Sequence, residues 1–349
     1  MDGRILITGS SGHLGQGLLR VGRAAGWDIV GLDRLGGAGG RIAPAFVGSI
    51  TDSSVVRAAL DGVRVVVHTA TLHKPHVATH SRSAFVETNI TGTLQVLDAA
   101  VDAGVEAFVF ISTTSTFGAS LVPAPGEPAV WIDARVPCVP KNIYGATKTG
   151  AEDLVHLVHR TTALSATVLR TSRFFPEADD QARQRAAFES DNLKANELMY
   201  RRVDLEDCVS AAICAARWLC AEARPFERFV VSGTTPFSPS DAPELAVDAA
   251  SVVRRRVPGI EAAYARHGFR LPERITRVYD NTAARERLAW RPRWDVHALV
   301  AQLNRIDPEV RRGRCPGIGS DMARLVGPLG YHSAAERAGW AEDGAPYPV

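Results

Sequence analysis

The chain has 349 residues, 46% hydrophobic and 22% charged, a composition suited to one large two-lobed globular unit or two domains and too apolar for a disordered chain. Forty basic side chains against 38 acidic leave a formal charge of +2, which gives no field-driven attraction to nucleic acid or to an anionic membrane. No apolar run is long enough to cross a bilayer, and the five cysteines contain no Cys-x-x-Cys pair; a cytoplasmic location is expected, with no membrane partner, no disulfide framework and no zinc knuckle.

In chain order, short β-rich runs alternate with amphipathic stretches, the pattern of a parallel sheet covered by helices on both faces. Strands are predicted at 4–8, 28–32, 46–48, 63–68, 107–112 and 166–170, with helices at 14–25, 53–60, 81–103 and 144–160. Asp52 precedes Ser53 as an N-cap. Beyond Arg170 the rhythm loosens: residues 173–204 are polar, a helix is predicted over 208–223 and a strand over 229–232. From Thr234 onward repeated prolines break up short helices, as expected of a smaller irregular lobe. The pattern divides the chain into a larger sheet-based domain, 1–172 with 204–235 returning to it, and a smaller lobe built from 173–203 and 236–349.

Two motifs carry chemistry. Thr8-Gly9-Ser10-Ser11-Gly12-His13-Leu14-Gly15 lies where the first strand turns into the first helix. Glycine is needed there because a pyrophosphate must approach the backbone and rest on the N–H groups of the helix N-terminus. Asp33, at the end of the next strand, is placed to accept from adenosine ribose hydroxyls and to repel a 2′-phosphate, favouring NAD over NADP, while Arg34 beside it offers a grip for a phosphate instead. The second motif is Tyr144-Gly145-Ala146-Thr147-Lys148, whose spacing of four places phenol and ammonium on one helical face. A neighbouring cation lowers the pKa of a phenol, so Lys148 is expected to tune Tyr144.

With Asn89-Ile90-Thr91-Gly92-Thr93, Phe110 to Gly118, Val203 to Asp207 and Leu288 to Pro292 in the same order, the chain resembles the extended short-chain dehydrogenase/reductases over roughly residues 4–300. The resemblance implies a Rossmann-type, doubly wound α/β sheet with a smaller, mostly α C-terminal substrate lobe, and a homodimer paired through the helices at 81–103 and 144–160. It also implies roles. Thr113 hydrogen-bonds the reacting oxygen, with Thr114 a rival for that place; Tyr144 moves a proton to or from it; Lys148 binds the nicotinamide ribose and tunes the tyrosine. Thr69, Ala70, Thr71 and Asn89 match cofactor-lining positions. His73 stands where some epimerases have a cofactor-contacting lysine, with Lys74 a second candidate facing the substrate.

Departures narrow the reading. Ser49-Ile50 replaces the usual Asp at the adenine contact, and Thr114-Ser115 replaces the acid pair of the sugar-nucleotide dehydratases, which argues against a 4,6-dehydratase. Arg173 stands where nucleotide-sugar enzymes carry an Asn, either as a bidentate clamp for an anionic substrate or as a partner of Glu177, Asp179 or Asp180. Asn192 matches a nucleotide-contacting loop. His68, His73, His76 and His80 lack metal-ligand spacing, so no metal is expected. Three functions follow: an NAD-dependent epimerase or related oxidoreductase of a sugar or nucleotide sugar, a net dehydrogenase or ketoreductase of a hydroxylated metabolite, or a nucleotide sensor without turnover. The intact tyrosine and lysine weigh against the last.

Overall fold

Strand β1 (Arg4–Thr8) lies inside a seven-stranded sheet because every one of its apolar residues has somewhere to go. Ile5 and Ile7 pack into the core on one face and Leu6 into the core on the other, the alternation a strand imposes. Parallel sheets are covered on both faces, which is why their strands read as continuous apolar runs. The computed structural model describes residues 2–36, 41–174, 186–188, 190–305 and 307–308. Its elements begin with β1, α1 (His13–Ala24), β2 (Ile29–Asp33), β3 (Phe46–Val47), α2 (Ser53–Ala59) and β4 (Val63–His68). Then come α3 (Arg82–Val86), α4 (Gly92–Asp102), β5 (Ala107–Thr113), β6 (Val130–Ile132), α5 (Ile143–Thr161), β7 (Ser165–Thr171), α6 (Ser190–Leu198), α7 (Leu205–Ala221) and β8 (Arg228–Val231).

The sheet order is β3-β2-β1-β4-β5-β7-β8, parallel throughout. Helices α1 and α7 supply apolar residues such as Leu18, Leu19, Ala212 and Ala216 to one core, and α2, α4 and α5 supply Val56, Val96, Leu97, Ala151 and Val155 to the other. Asp52 caps α2 by accepting from Ser54 N and Val55 N. The stretch predicted as one helix from 81 to 103 is interrupted: a wide π turn at Glu87–Thr91 joins α3 to α4, a device that redirects side chains and recurs at functional sites.

A third core, formed by Leu198, Met199, Leu245, Val252, Val253, Ile260, Tyr264, Leu299 and Leu303, holds together α6 and the helices Ala249–Arg256, Ile260–His267 and Val296–Arg305. Strand β6 does not join the main sheet. It pairs in parallel with β9 (Arg277–Tyr279), so this lobe also draws on residues 130–132. The motifs 203–207 and 288–292 meet: the Trp290 indole donates to Ser210 Oγ at 2.9 Å, while the Asp207 carboxylate accepts from the backbone N–H groups of Arg293 and Trp294. Of the cysteines, Cys138, Cys208, Cys214 and Cys220 are thiols, and Cys315 lies outside the described residues, as does everything of the expected lobe beyond 308.

Candidate active site

The C-terminal ends of the central strands open onto a cleft of about 1490 Å³, the place where open parallel sheets bind ligands. Its floor is the glycine turn. Gly9 has φ +66°, and a Cβ there would sit 2.6 Å from the Ala70 backbone nitrogen. A Cβ on Gly15 would lie 2.4 Å from the Gly9 carbonyl; these two glycines are required by the protein's own packing. Gly12 is different, because a Cβ there would meet only the Gly9 carbonyl, at 3.3 Å. It opens α1 with no side-chain cap and no acid in the first turn, leaving the first N–H groups directed at the cleft for an anion. Gly12, His13 and Leu14 line the cleft there.

Asp33, Arg34, Ser49 and Ile50 line one end of the cleft. The Asp33 carboxylate accepts from Ser11 N at 2.9 Å and from Leu35 N at 3.0 Å, binding the glycine turn to the loop after β2. Thr69, Ala70, Thr71, His73 and Lys74 form a wall of the cleft. Asn89 does not line it. From the π turn, its buried amide accepts from Leu72 N at 2.8 Å and Thr71 Oγ1 at 3.0 Å, and donates to Leu72 O and Thr147 Oγ1. All its polar capacity is used, so Asn89 positions the wall rather than touching a ligand. A cradle of this kind, with an uncapped helix, a bare Gly12 and a carboxylate at the end of β2, fits a dinucleotide.

Thr113 ends β5 and Tyr144 opens α5, whose Asn142 cap accepts from Gly145 N at 2.9 Å. Both are buried and line the cleft; the Thr113 hydroxyl accepts from Ser115 N at 3.1 Å and acts to lower the pKa of the phenol. Thr114 is also buried at the cleft wall. Lys148 donates to the Ile111 carbonyl at 2.7 Å and lies 3.9 Å from the centre of the Phe110 ring. The expectation that the lysine lowers the tyrosine pKa is not met in this arrangement. Burial pushes the Tyr144 phenol up to about 12 against the opposing effect of Thr113, and burial pulls Lys148 down to about 7, with Glu152 acting against it. Desolvation outweighs charge here because both side chains are buried.

The histidines separate into two sites. His68 is fully buried between Thr8 and Thr93; Thr93 Oγ1 donates to the Asn89 carbonyl, so His68 Nε2 carries the proton and Nδ1 accepts from Thr8. His76 Nδ1 accepts from His73 N at 3.0 Å, and the His73 ring meets that of Tyr144 edge-on, 6.5 Å between centres. Among the described residues no group of three or more His, Cys, Asp or Glu side chains is arranged to hold a metal ion.

Arg173 lines the cleft, and the acids suggested as its partners, Glu177, Asp179 and Asp180, lie outside the described residues. Asn192 does not line the cleft; its amide accepts from Arg270 N and donates to Arg270 O, both at 2.9 Å, tying α6 to the lobe, which removes it from the substrate group. Sequence reasoning passed over Ser172, Lys141, Arg201 and Arg277, which line the cleft, and the buried ion pair of Glu152 with Arg170 behind it. The pair had a signal: Glu152 is four residues after Lys148 on the same helical face, and Arg170 interrupts an apolar strand.

A parallel α/β sheet with a glycine-rich cradle for a dinucleotide and a buried Thr-Tyr-Lys group defines a Rossmann-type dinucleotide-binding fold. The comparisons agree: residues 5–218 match the model of the NAD dependent epimerase/dehydratase family, and the chain belongs to that family of NAD-dependent enzymes. It is 34% identical over 172 residues to the NAD-dependent glucose-6-phosphate dehydrogenase of Haloferax volcanii, a match covering 46% of this chain and 64% of that protein. It is 28% identical over 354 residues to the 4-hydroxy-2-methyl-3-oxo-4-farnesyl-3,4-dihydroquinoline-1-oxide ketoreductase of Stigmatella aurantiaca, covering 96% of this chain and 100% of that one. The chain spans about half to two thirds of the length of the first curated relatives it matches. Among solved structures, a short-chain dehydrogenase/reductase superfamily protein from Agrobacterium tumefaciens with bound NAD superposes with a TM-score of 0.60 at 21% identity, covering 86% of this chain and 97% of that one.

Proposed function

We propose that the protein is an NAD-dependent oxidoreductase, of the epimerase type or close to it, acting on a hydroxyl of a sugar or nucleotide sugar. The observation that carries this reading is the pair Thr113 and Tyr144, buried at the wall of a cleft whose floor is a dinucleotide cradle, with Lys148 buried one turn behind the tyrosine and not itself lining the cleft. Gly12, His13 and Leu14 hold the pyrophosphate of NAD, Asp33 its adenosine ribose, and Lys148 its nicotinamide ribose. When bound, NAD supplies the hydride acceptor and donor.

The proton chemistry belongs to the chain. With its pKa pushed up to about 12, Tyr144 is a neutral phenol near pH 7 and donates its proton to a carbonyl oxygen of the substrate, becoming a phenolate; in the opposite direction that phenolate takes the hydroxyl proton back and the phenol is restored. Thr113 holds that oxygen by a hydrogen bond, and the apolar walls that raise the phenol's pKa exclude water. A second reading, a net ketoreductase of a hydroxylated metabolite, is favoured by the full-length similarity to the Stigmatella ketoreductase.

The nucleotide released on denaturing the purified protein separates the two. Near-stoichiometric NAD supports an enzyme that recycles its hydride internally; an empty protein that binds added NAD reversibly supports the net reductase. A protein that binds no dinucleotide overturns both. We further propose the two-lobe division at 172/173, 203/204 and 235/236, a homodimer through α3, α4 and α5, and a cytoplasmic location; no helix among the described residues is long and apolar enough to cross a membrane.

A further inference from the structure

Past the ends of β5 and β7 the cleft changes character. Thr113 pairs with Thr171 across the two strands, and Ser172 follows directly, its backbone fixed by a 2.8 Å hydrogen bond to Val231 O. Ser172 is 2% exposed and lines the cleft, and its buried hydroxyl has no hydrogen-bond partner among the described residues. A buried hydroxyl in that condition costs free energy unless a ligand completes it.

Three guanidinium-bearing segments meet beside it. Arg173 forms a β-bridge with Arg202, which brings it next to Arg201. Tyr279 N donates to Tyr200 O at 2.9 Å, which carries Arg277 to the same place from β9. Arg173, Arg201 and Arg277 all line the cleft. Glu197, buried on α6, is shared between Arg201 and Arg202. Arg277 forms no ion pair among the described residues, and its Nε is buried without a hydrogen-bond partner there. Guanidinium groups gathered in this way suit a planar or tetrahedral oxyanion, which accepts their N–H groups in pairs.

We propose that Ser172, Arg173, Arg201 and Arg277 form a subsite for an oxyanion carried by the substrate, and that the substrate is a compact hydroxylated anion, a sugar monophosphate or a sugar acid. The compactness follows from register. Neighbouring strands lie about 4.8 Å apart and a strand advances about 3.3 Å per residue, so the Ser172 backbone is roughly 6 Å from that of Thr113. Reacting hydroxyl and oxyanion are therefore held about one sugar ring apart in the same molecule, the separation that a sugar monophosphate or a sugar acid spans. This inference rests on the assignment of Thr113 and Tyr144 as the reacting end.

The test is isothermal titration calorimetry on protein saturated with NAD, using inorganic phosphate, glucose 6-phosphate, glucuronate and, as the neutral control, glucose. At least one anion is expected to bind where glucose does not, with Arg277→Met weakening it roughly tenfold to a hundredfold and Ser172→Ala several-fold, as for loss of a charge-assisted and of a neutral hydrogen bond, and with NAD binding unchanged in both. Glucose 6-phosphate binding alone identifies a phosphate, glucuronate alone a carboxylate. The proposal is overturned if none of the anions binds, if glucose binds equally, or if Arg277→Met leaves anion affinity intact. If the anions bind as expected while Tyr144→Phe changes no turnover, the subsite stands and the oxidoreductase reading falls.

Discussion

Arg170 holds Glu152 through both carboxylate oxygens, Nη2 lying 2.7 Å from Oε2 and Nε 3.1 Å from Oε1, with both side chains buried. Ser112 Oγ donates to the same carboxylate at 2.6 Å, and Arg170 also donates to Ala134 O. One buried acid thus joins β5, α5 and β7, the elements that carry Thr113, Tyr144 with Lys148, and Thr171, which Ser172 follows. Removing one partner of a buried pair strands the other, at a cost of about 3–5 kcal/mol. Glu152→Ala is expected to lower unfolding free energy by that amount in urea titration. A loss under about 1 kcal/mol, the worth of an exposed pair, would show that the network does not anchor the site.

Tyr144→Phe keeps the ring that packs with Leu72 and Phe85 and deletes only the hydroxyl. Turnover is expected to fall by roughly a hundredfold to ten-thousandfold, the range lost with a positioned acid or base, while NAD affinity stays close to that of the parent protein. Steady-state kinetics and NAD titration check the two halves separately; a variant with parental kcat refutes the assignment of the phenol.

The parallel sheet and the cradle were legible in the sequence because local rules determine them: apolar runs such as Ile5 to Ile7, and a glycine turn placed between strand and helix. Asn89 was legible only as a matched position. Its use became clear once the π turn was seen to aim its amide at Leu72 and Thr147, 17 and 58 residues away in the chain. Arg277 was missed because it reaches the cleft through pairing of β6 with β9, a contact between residues 130 and 277 that no local pattern announces. The tyrosine's pKa went the other way for a similar reason: spacing puts Lys148 on the right face, but the Ile111 carbonyl and the Phe110 ring that hold its ammonium come from β5.

Stability is expected to fall on acidification below pH 6.5. Burial pulls His68 from its ordinary 6.5 to about 3 and His76 to about 4, so between these values the unfolded chain binds protons the folded protein refuses. Stability contributed by the neutral rings is therefore complete above 6.5 and is lost as pH falls toward 3. At pH 5 the His68 effect alone amounts to about 2 kcal/mol. Urea midpoints at pH 7 and pH 5, in the parent and in His68→Gln, measure it; an unchanged pH dependence in the variant would exclude His68 as the source.

Asp33 makes the choice of cofactor testable without a substrate. Its carboxylate at the end of β2 repels a 2′-phosphate, and Arg34 and Arg41 line the same cleft. Asp33→Ser removes the repulsion and leaves the two cations. NAD affinity is expected to drop and NADP affinity to rise in this variant, measured by fluorescence titration on protein stripped of nucleotide. A parent that already prefers NADP would reverse the reading.

The homodimer can be tested on three side chains. Val86 on α3, Leu94 on α4 and Leu157 on α5 are 45%, 36% and 49% exposed, although the opposite faces of α4 and α5 are packed into the sheet core through Val96, Leu97, Ala151 and Val155. Helices with apolar residues on the outer face as well as the inner one bury the second face against another chain more readily than they leave it in water. Light scattering at micromolar concentration is expected to give the mass of two chains, and Leu94→Arg with Leu157→Arg the mass of one, because two guanidinium groups cannot be buried at such a face without partners. A monomeric parent would refute the pairing, and a dimeric double variant would move the interface elsewhere.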